Sequence, residues 1–359
     1  MPGMGERSYV YAKACGIVGN SFIGKRLSKL GGLTRLSELD RLVFGKDARD
    51  LPEQELLVDL ERRIINRTAR QIIIIVDSFP HPPEMLVRLI RDFEYTDLKR
   101  VIAAATAGER NLPQITDIGR FATINYKEYP HFSLMLKGTE FEFLLEDLLT
   151  PLDIKTMVIQ NKLDHHYYFS LWKSMLRLAP ADRKSIERIL SEEVSLRNAA
   201  WALRMRTYYG MSEDQAGEYL VSIPALKDYH SHWHRGRHLQ RSSSRSAAKP
   251  TLADDAQDSL SMALDNPADW EHWRWVKFLN PRLSGEAWAA DPRYFQNAAA
   301  EYLYTLARHS FRLRPFSLDM VACFIKLKLF EEDLLISIAE GLSLGMPAQD
   351  ILDLLGVAS

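Results

Sequence analysis

The sequence predicts an all-α fold, and three observations predict it. Apolar residues recur at three- and four-residue spacing along most of the chain. No stretch sustains period-two alternation, and Asn-Gly and Asp-Gly hairpin signals are absent. Prolines fall between the periodic stretches, where they end one helix and admit the next.

The elements follow in order. Leu56, Leu57, Leu60, Ile64 and Ile65 share one helical face, with Glu61, Arg62 and Arg63 on the other. The β-branched run Ile72–Val76 follows that pattern without a Gly or Pro break, so the helix is expected to continue to about Asp77. His81-Pro82-Pro83 separates it from a second helix over Glu84–Ile90. Phe141–Leu149, Tyr167–Leu178 and Ser185–Ala202 repeat the helical period. Pro130, Pro151, Pro180, Pro224, Pro281 and Pro315 mark further boundaries. Asp228–Pro250 is different in kind. It is rich in His, Arg and Ser, holds no acidic residue between His230 and Lys249, and has little to bury. It reads as a loop or linker.

Composition bounds the function. The chain has 359 residues, 46% of them hydrophobic, enough for two or three cores. A net charge of −1 gives no global pull toward nucleic acid or anionic membrane. Two cysteines, Cys15 and Cys323, match no zinc or redox spacing and support no disulfide framework, so a reducing cytoplasm is the expected setting. Met1–Arg7 lacks the apolar core of a secretory signal, and no run approaches the roughly 20 apolar residues of a membrane span.

An internal repeat is the most informative pattern. Three segments open on acidic residues, run through an apolar helix and end at Gly followed by a short polar turn. The first runs from Glu94 through Asp97-Leu98-Lys99 to Gly108, the second from Glu193 through Ser195-Leu196-Arg197 to Gly210, and the third from Glu331 through Asp333-Leu334 to Gly345. Acids in a first turn complement the helix dipole, and Gly past the last turn supplies a left-handed cap. Repeats this far apart exceed a solenoid period of about 20–50 residues. They predict three related helical domains, with boundaries at 1–118, 119–227 and 251–359 and the basic loop 228–250 between the last two.

These segments resemble the C-type central-stalk component of bacterial and archaeal A/V-type ATPases, the counterpart of the d-type component of the vacuolar ATPase. Tyr9-Val10-Tyr11-Ala12-Lys13-Ala14 resembles the family's opening helix, Asp269–Trp275 the approach to its third domain, and Phe316-Ser317-Leu318 through Ile351-Leu352 its last helices. The resemblance spans nearly the whole chain and rests on the order of segments. Asp333-Leu334-Leu335 departs from it by lacking the usual Asn and Arg, and the basic loop replaces a compact connection. The resemblance implies three similar helical domains around a pseudo-threefold axis, shaped as a funnel or socket. It implies a non-catalytic structural subunit, peripheral on the cytoplasmic face of the membrane. Such a part couples the central shaft, built from the D and F subunits, to the membrane proteolipid rotor ring during proton or sodium transport. A helical scaffold of the same family acting outside the ATPase is the alternative.

No catalytic, cofactor-binding or metal-binding residue is expected, and neither nucleic acid nor a small-molecule substrate. Gly19-Asn20-Ser21-Phe22-Ile23-Gly24-Lys25-Arg26 matches most of a phosphate-binding loop, but Arg26 stands where magnesium needs Ser or Thr. It reads instead as a helical segment whose glycines permit close packing or a break. His230, His232, His234 and His238, with His165-His166, lack the Cys or acidic partners of a zinc site. Trp270, Trp273, Trp275 and Trp288 read as core or subunit interface. The basic loop around Trp233, with Arg235, Arg237, Arg241, Arg245 and Lys249, could touch headgroups or a stalk partner. Glu192-Glu193 and Glu331-Glu332, adjacent in sequence, point to different sides of a helix and make no acid/base pair.

Overall fold

The computed structural model describes residues 4–148, 156–224, 250–279 and 288–356. The helices in chain order are α1 (Met4–Gly19), α2 (Leu36–Phe44), α3 (Glu53–Val76), α4 (Glu84–Thr106), α5 (Phe132–Leu136), α6 (Leu145–Leu148), α7 (Thr156–Leu176), α8 (Pro180–Tyr209), α9 (Glu213–Gly217), α10 (Asp254–Leu260), α11 (Pro267–Trp270), α12 (Pro292–Leu313), α13 (Leu318–Ser343) and α14 (Ala348–Leu354). Among the described residues the one β feature is an isolated antiparallel bridge between Pro224 and Thr251. The expected all-α fold is what these residues show. No helix among them is long and apolar enough to cross a membrane.

The described residues form two compact units: Met1–Leu178 with Ala307–Ser359, and Ala179–Leu306. In the first unit, α13 packs along α3, α4 along α7, and α1 and α14 against α13. One core cluster joins Leu36, Leu39, Leu56, Leu60 and Ile64 to Leu335, Ile338, Leu342 and Leu352, so the first and last parts of the sequence share one core. The turn between α13 and α14 is tight enough that a Cβ on Gly341 would lie 2.3 Å from Ile351 Cδ1. In the second unit, α10 packs along α8. Trp270, Trp273 and Trp275 are buried there, the first two in edge-to-face contact at 5.0 Å. They are core residues of this unit, although α11 ends at Trp270 and Trp273 lies in the turn beyond it.

Local chemistry explains the long helices. α3 begins after Pro52 with Glu53 and Glu55 in its first turn, favourable to the dipole. Its β-branched end is helical because burial recurs at helical spacing: Ile72, Ile75 and Val76 are buried while Ile74 is exposed. α8 has Pro180 at its start, where a missing N–H costs nothing. Two expectations fail. Phe141–Leu149 is not one helix but a 3-10 turn, Glu142–Leu144, followed by the single turn of α6 up to Leu148. The acidic residues of the three repeat copies are not in first turns. α4 starts at Glu84, α8 at Pro180 and α13 at Leu318, well before Glu94, Glu193 and Glu331. The glycine ends hold: Gly108, Gly210 and Gly345 have φ of 76°, 58° and 79°, the left-handed cap that a side chain would strain.

Candidate functional site

Three long helices each bury a glutamate near mid-length: Glu94 on α4, Glu192 on α8 and Glu331 on α13, at 2%, 2% and 1% exposure. A charge in that position costs several kcal/mol unless it is paired. Three and four residues on, Asp97-Leu98, Ser195-Leu196 and Leu334-Leu335 are also buried. The structure thus moves the register of two copies by one residue. Glu192 rather than Glu193 is the matching acid, and Leu334 rather than Asp333 takes the third position, because Asp333 faces out.

Each carboxylate fastens a distant piece of chain. Glu94 Oε1 accepts the backbone N–H groups of Thr123 at 2.5 Å and Ile124 at 2.8 Å, and its Oε2 accepts the Thr123 hydroxyl at 2.9 Å. One turn on, Asp97 accepts the Thr116 N–H at 2.7 Å and pairs with Arg100. Burial pushes the Asp97 carboxyl up, against the pull of Thr116 and Arg100. Together they hold the irregular return from Gly108 against α4.

In the second copy, Arg274 Nη2 reaches both oxygens of Glu192, at 2.9 and 2.8 Å, and its Nη1 donates to Asp255 at 3.0 Å. Burial raises the Glu192 pKa, opposed by Arg274 and Arg188. Asn198 Oδ1 accepts the Val221 N–H at 2.8 Å while its Nδ2 donates to the carbonyls of Val221 at 3.0 Å and Leu252 at 3.3 Å. Arg206 donates to the carbonyls of Ser259 and Met262.

In the third copy, Glu331 Oε1 accepts the Phe22 N–H at 2.7 Å. Buried Lys328 bonds Glu331 and, at 3.1 Å, the Ser21 hydroxyl, and Arg67 of α3 lies 3.8 Å from Glu331. The segment that resembled a phosphate-binding loop therefore meets an anion from its own chain. α1 breaks at Gly19, Gly24 opens the next 3-10 turn at φ 80°, a Cβ on either would meet nothing within 4 Å, and Arg26 is turned back onto the Asn20 carbonyl and the Phe22 ring.

The remaining candidates are placed apart. His166 Nδ1 lies 2.6 Å from the Tyr95 hydroxyl, and burial lowers the imidazole pKa. Burial also holds the Tyr95 phenol up at about 12. Cys15 is half-buried and Cys323 buried, the latter thiol pushed well up by burial and Asp319. Among the described residues no cluster of three His, Cys, Asp or Glu side chains is placed to hold a metal. His230, His232, His234, His238, Trp233 and the arginines around them lie outside the described residues.

Sequence reasoning missed Glu192, Arg274, Asn198 and Lys328. The available signal was a charged or amide residue on the apolar stripe of a long helix. What these groups do chemically is fasten: each of the three buried glutamates engages backbone N–H groups or a cation.

A family model described as ATP synthase (C/AC39) subunit matches residues 39–231. An uncharacterized protein of Treponema pallidum (strain Nichols) is 25% identical over 337 residues, covering 94% of this chain and 92% of its own length. The matched residues take in the first two clamped helices and exceed half of the chain, which belongs to the ATP synthase (C/AC39) subunit family.

Proposed function

We propose that this chain is a non-catalytic structural subunit of a rotary A/V-type ATPase, coupling the central shaft of the D and F subunits to the membrane proteolipid ring. Family membership carries the reading, since members of this family are in general structural components of the ATPase. The clamps support it physically. A part that transmits torque must deform little under load, and packed helices with buried, satisfied polar contacts have low compliance. Fastening each long return to a helix with charge-assisted hydrogen bonds serves stiffness. In this reading the three repeat copies mark three related domains, 1–118, 119–227 and 251–359, about a pseudo-threefold axis, with the 228–250 loop, outside the described residues up to 249, between the last two. The protein sits peripherally on the cytoplasmic face and needs no cofactor of its own.

The test is removal and return. Membrane vesicles carrying the ATPase but stripped of this chain are expected to hydrolyse ATP without building an ion gradient, and adding the purified chain back restores the gradient. A gradient of undiminished size without the chain would overturn the coupling role.

A further inference from the structure

Around the third clamp the charges do not balance in the ordinary way. α13 presents Lys328, Glu331 and Glu332 within little more than one turn. Facing them are Ser21 and the Phe22 N–H from the segment after α1, Arg67, with Arg26 near it, and Thr68 from α3, and Asp92 from α4. Lys326 and Asp333 lie on α13 itself. Glu331 has its partners. Glu332 has an oxygen, Oε2, that is sealed from solvent with no hydrogen-bond partner. On α3, the Oε1 of Gln71 is likewise sealed and lacks a donor. Gln71 lies three residues on from Thr68, the side chain that hydrogen-bonds Glu332, and so on the same side of α3. A carboxylate here would add a second acceptor to a seam already short of donors. A carboxylic acid supplies one.

We propose that the α3–α13 seam is a proton-operated catch: while Glu332 keeps its proton α13 stays closed on α3 and α4, and losing that proton loosens the seam and the Ser21–Phe22 segment that Glu331 holds. Electrostatics agrees with the geometry. Burial first, then the charges of Asp333 and Asp92, lifts the Glu332 pKa to about 8, while Thr68 and Lys328 pull it down. Ionisation would place a negative charge on α13 facing Asp92 of α4. Over the same range burial, with Arg67 beside it, brings the Lys328 ammonium down to about 7, so alkaline pH also removes the positive charge next to Glu331. Both titrations make this turn of α13 more negative as pH rises. The catch does not depend on the ATPase reading.

The sign follows from the raised acid. Its contribution to stability is complete below the unfolded carboxyl value of 4.5 and is lost as pH rises through about 8. Lys328, lowered from 10.5, works the other way above about 7, so the comparison that isolates Glu332 is wild type against Glu332→Gln.

The experiment uses the full chain at pH 5, 7 and 9, with two readings. Infrared difference spectra are expected to show a buried carboxylic-acid carbonyl band at pH 7 that disappears at pH 9 and is missing at pH 7 in Glu332→Gln. Hydrogen exchange of the peptide containing Phe22, corrected for the intrinsic pH effect, is expected to rise about tenfold or more from pH 7 to 9 in wild type and to stay level in the variant. If the variant does not fold, the wild-type band alone decides. A wild-type spectrum with no acid band at pH 7, or a variant whose exchange rises as wild type does, would overturn the catch.

Discussion

Arg274→Ala is expected to destabilise the second unit by about 3–5 kcal/mol, the cost of breaking a buried ion pair from one side. The guanidinium and its partner Glu192 are only 6% and 3% exposed, and Nη2 reaches both carboxylate oxygens. Truncation leaves Glu192 buried beside Asp255 with only the charge of Arg188 to offset it, and removes the guanidinium stacked 4.2 Å over Trp275. Burial already lifts the Glu192 pKa, so the orphaned carboxyl is expected to take up a proton, which limits the loss. Urea unfolding of the single variant and of Arg274→Ala with Glu192→Leu checks this. The double variant should recover more than half of the loss, because replacing both members of a buried pair by apolar groups is often neutral. Equal losses in both would mean that the arginine acts through packing alone.

Glu94→Ala is expected to cost about 3–4 kcal/mol, since it strands two backbone N–H groups and a hydroxyl, at roughly 1–3 kcal/mol for each buried unsatisfied group. Glu94→Gln keeps one acceptor oxygen and should lose about half as much. Hydrogen exchange gives the specific reading. The amides of Thr123 and Ile124, which Glu94 Oε1 accepts, should lose protection first, while those in α8 and α10 keep theirs. Uniform loss across the chain would mean that Glu94 supports the fold as a whole rather than the return segment.

Why these residues escape a reading of the sequence is itself physical. An acid ahead of an apolar run looks like a helix start, and Glu94, Glu193 and Glu331 all look so. The deciding signal lies upstream, where Met85, Leu86, Leu89 and Ile90 carry the same period into Glu94, and Phe324, Ile325 and Leu327 carry it into Glu331. Acids inside a continuing stripe are buried anions, and a buried anion implies a partner. Which residue answers it is not legible locally. Phe22 stands almost a whole chain length from Glu331, and nothing near either residue in sequence announces the other. Helix identity and the glycine caps are legible because they depend on local propensity. Ile72–Val76 shows its helix in the sequence. Phe141–Leu149 does not show its break, because Thr139 and the turn around it close a short 3-10 segment that periodicity does not register.

The same distinction applies to the loop Gly19–Arg26. Its sequence advertises an anion site. Its backbone does take an anion through the Phe22 N–H, but from a glutamate on α13. The motif reports the local chemistry correctly, and the distant residue decides what occupies it.

The coupling role is tested most directly by recovering the tagged chain from its native cells in mild detergent and identifying what comes with it by mass spectrometry. Proteolipid and central-stalk subunits in stoichiometric amount are the predicted result. The chain recovered alone, from cells whose ATPase is otherwise intact, would contradict the coupling role and leave a free helical scaffold of the same family.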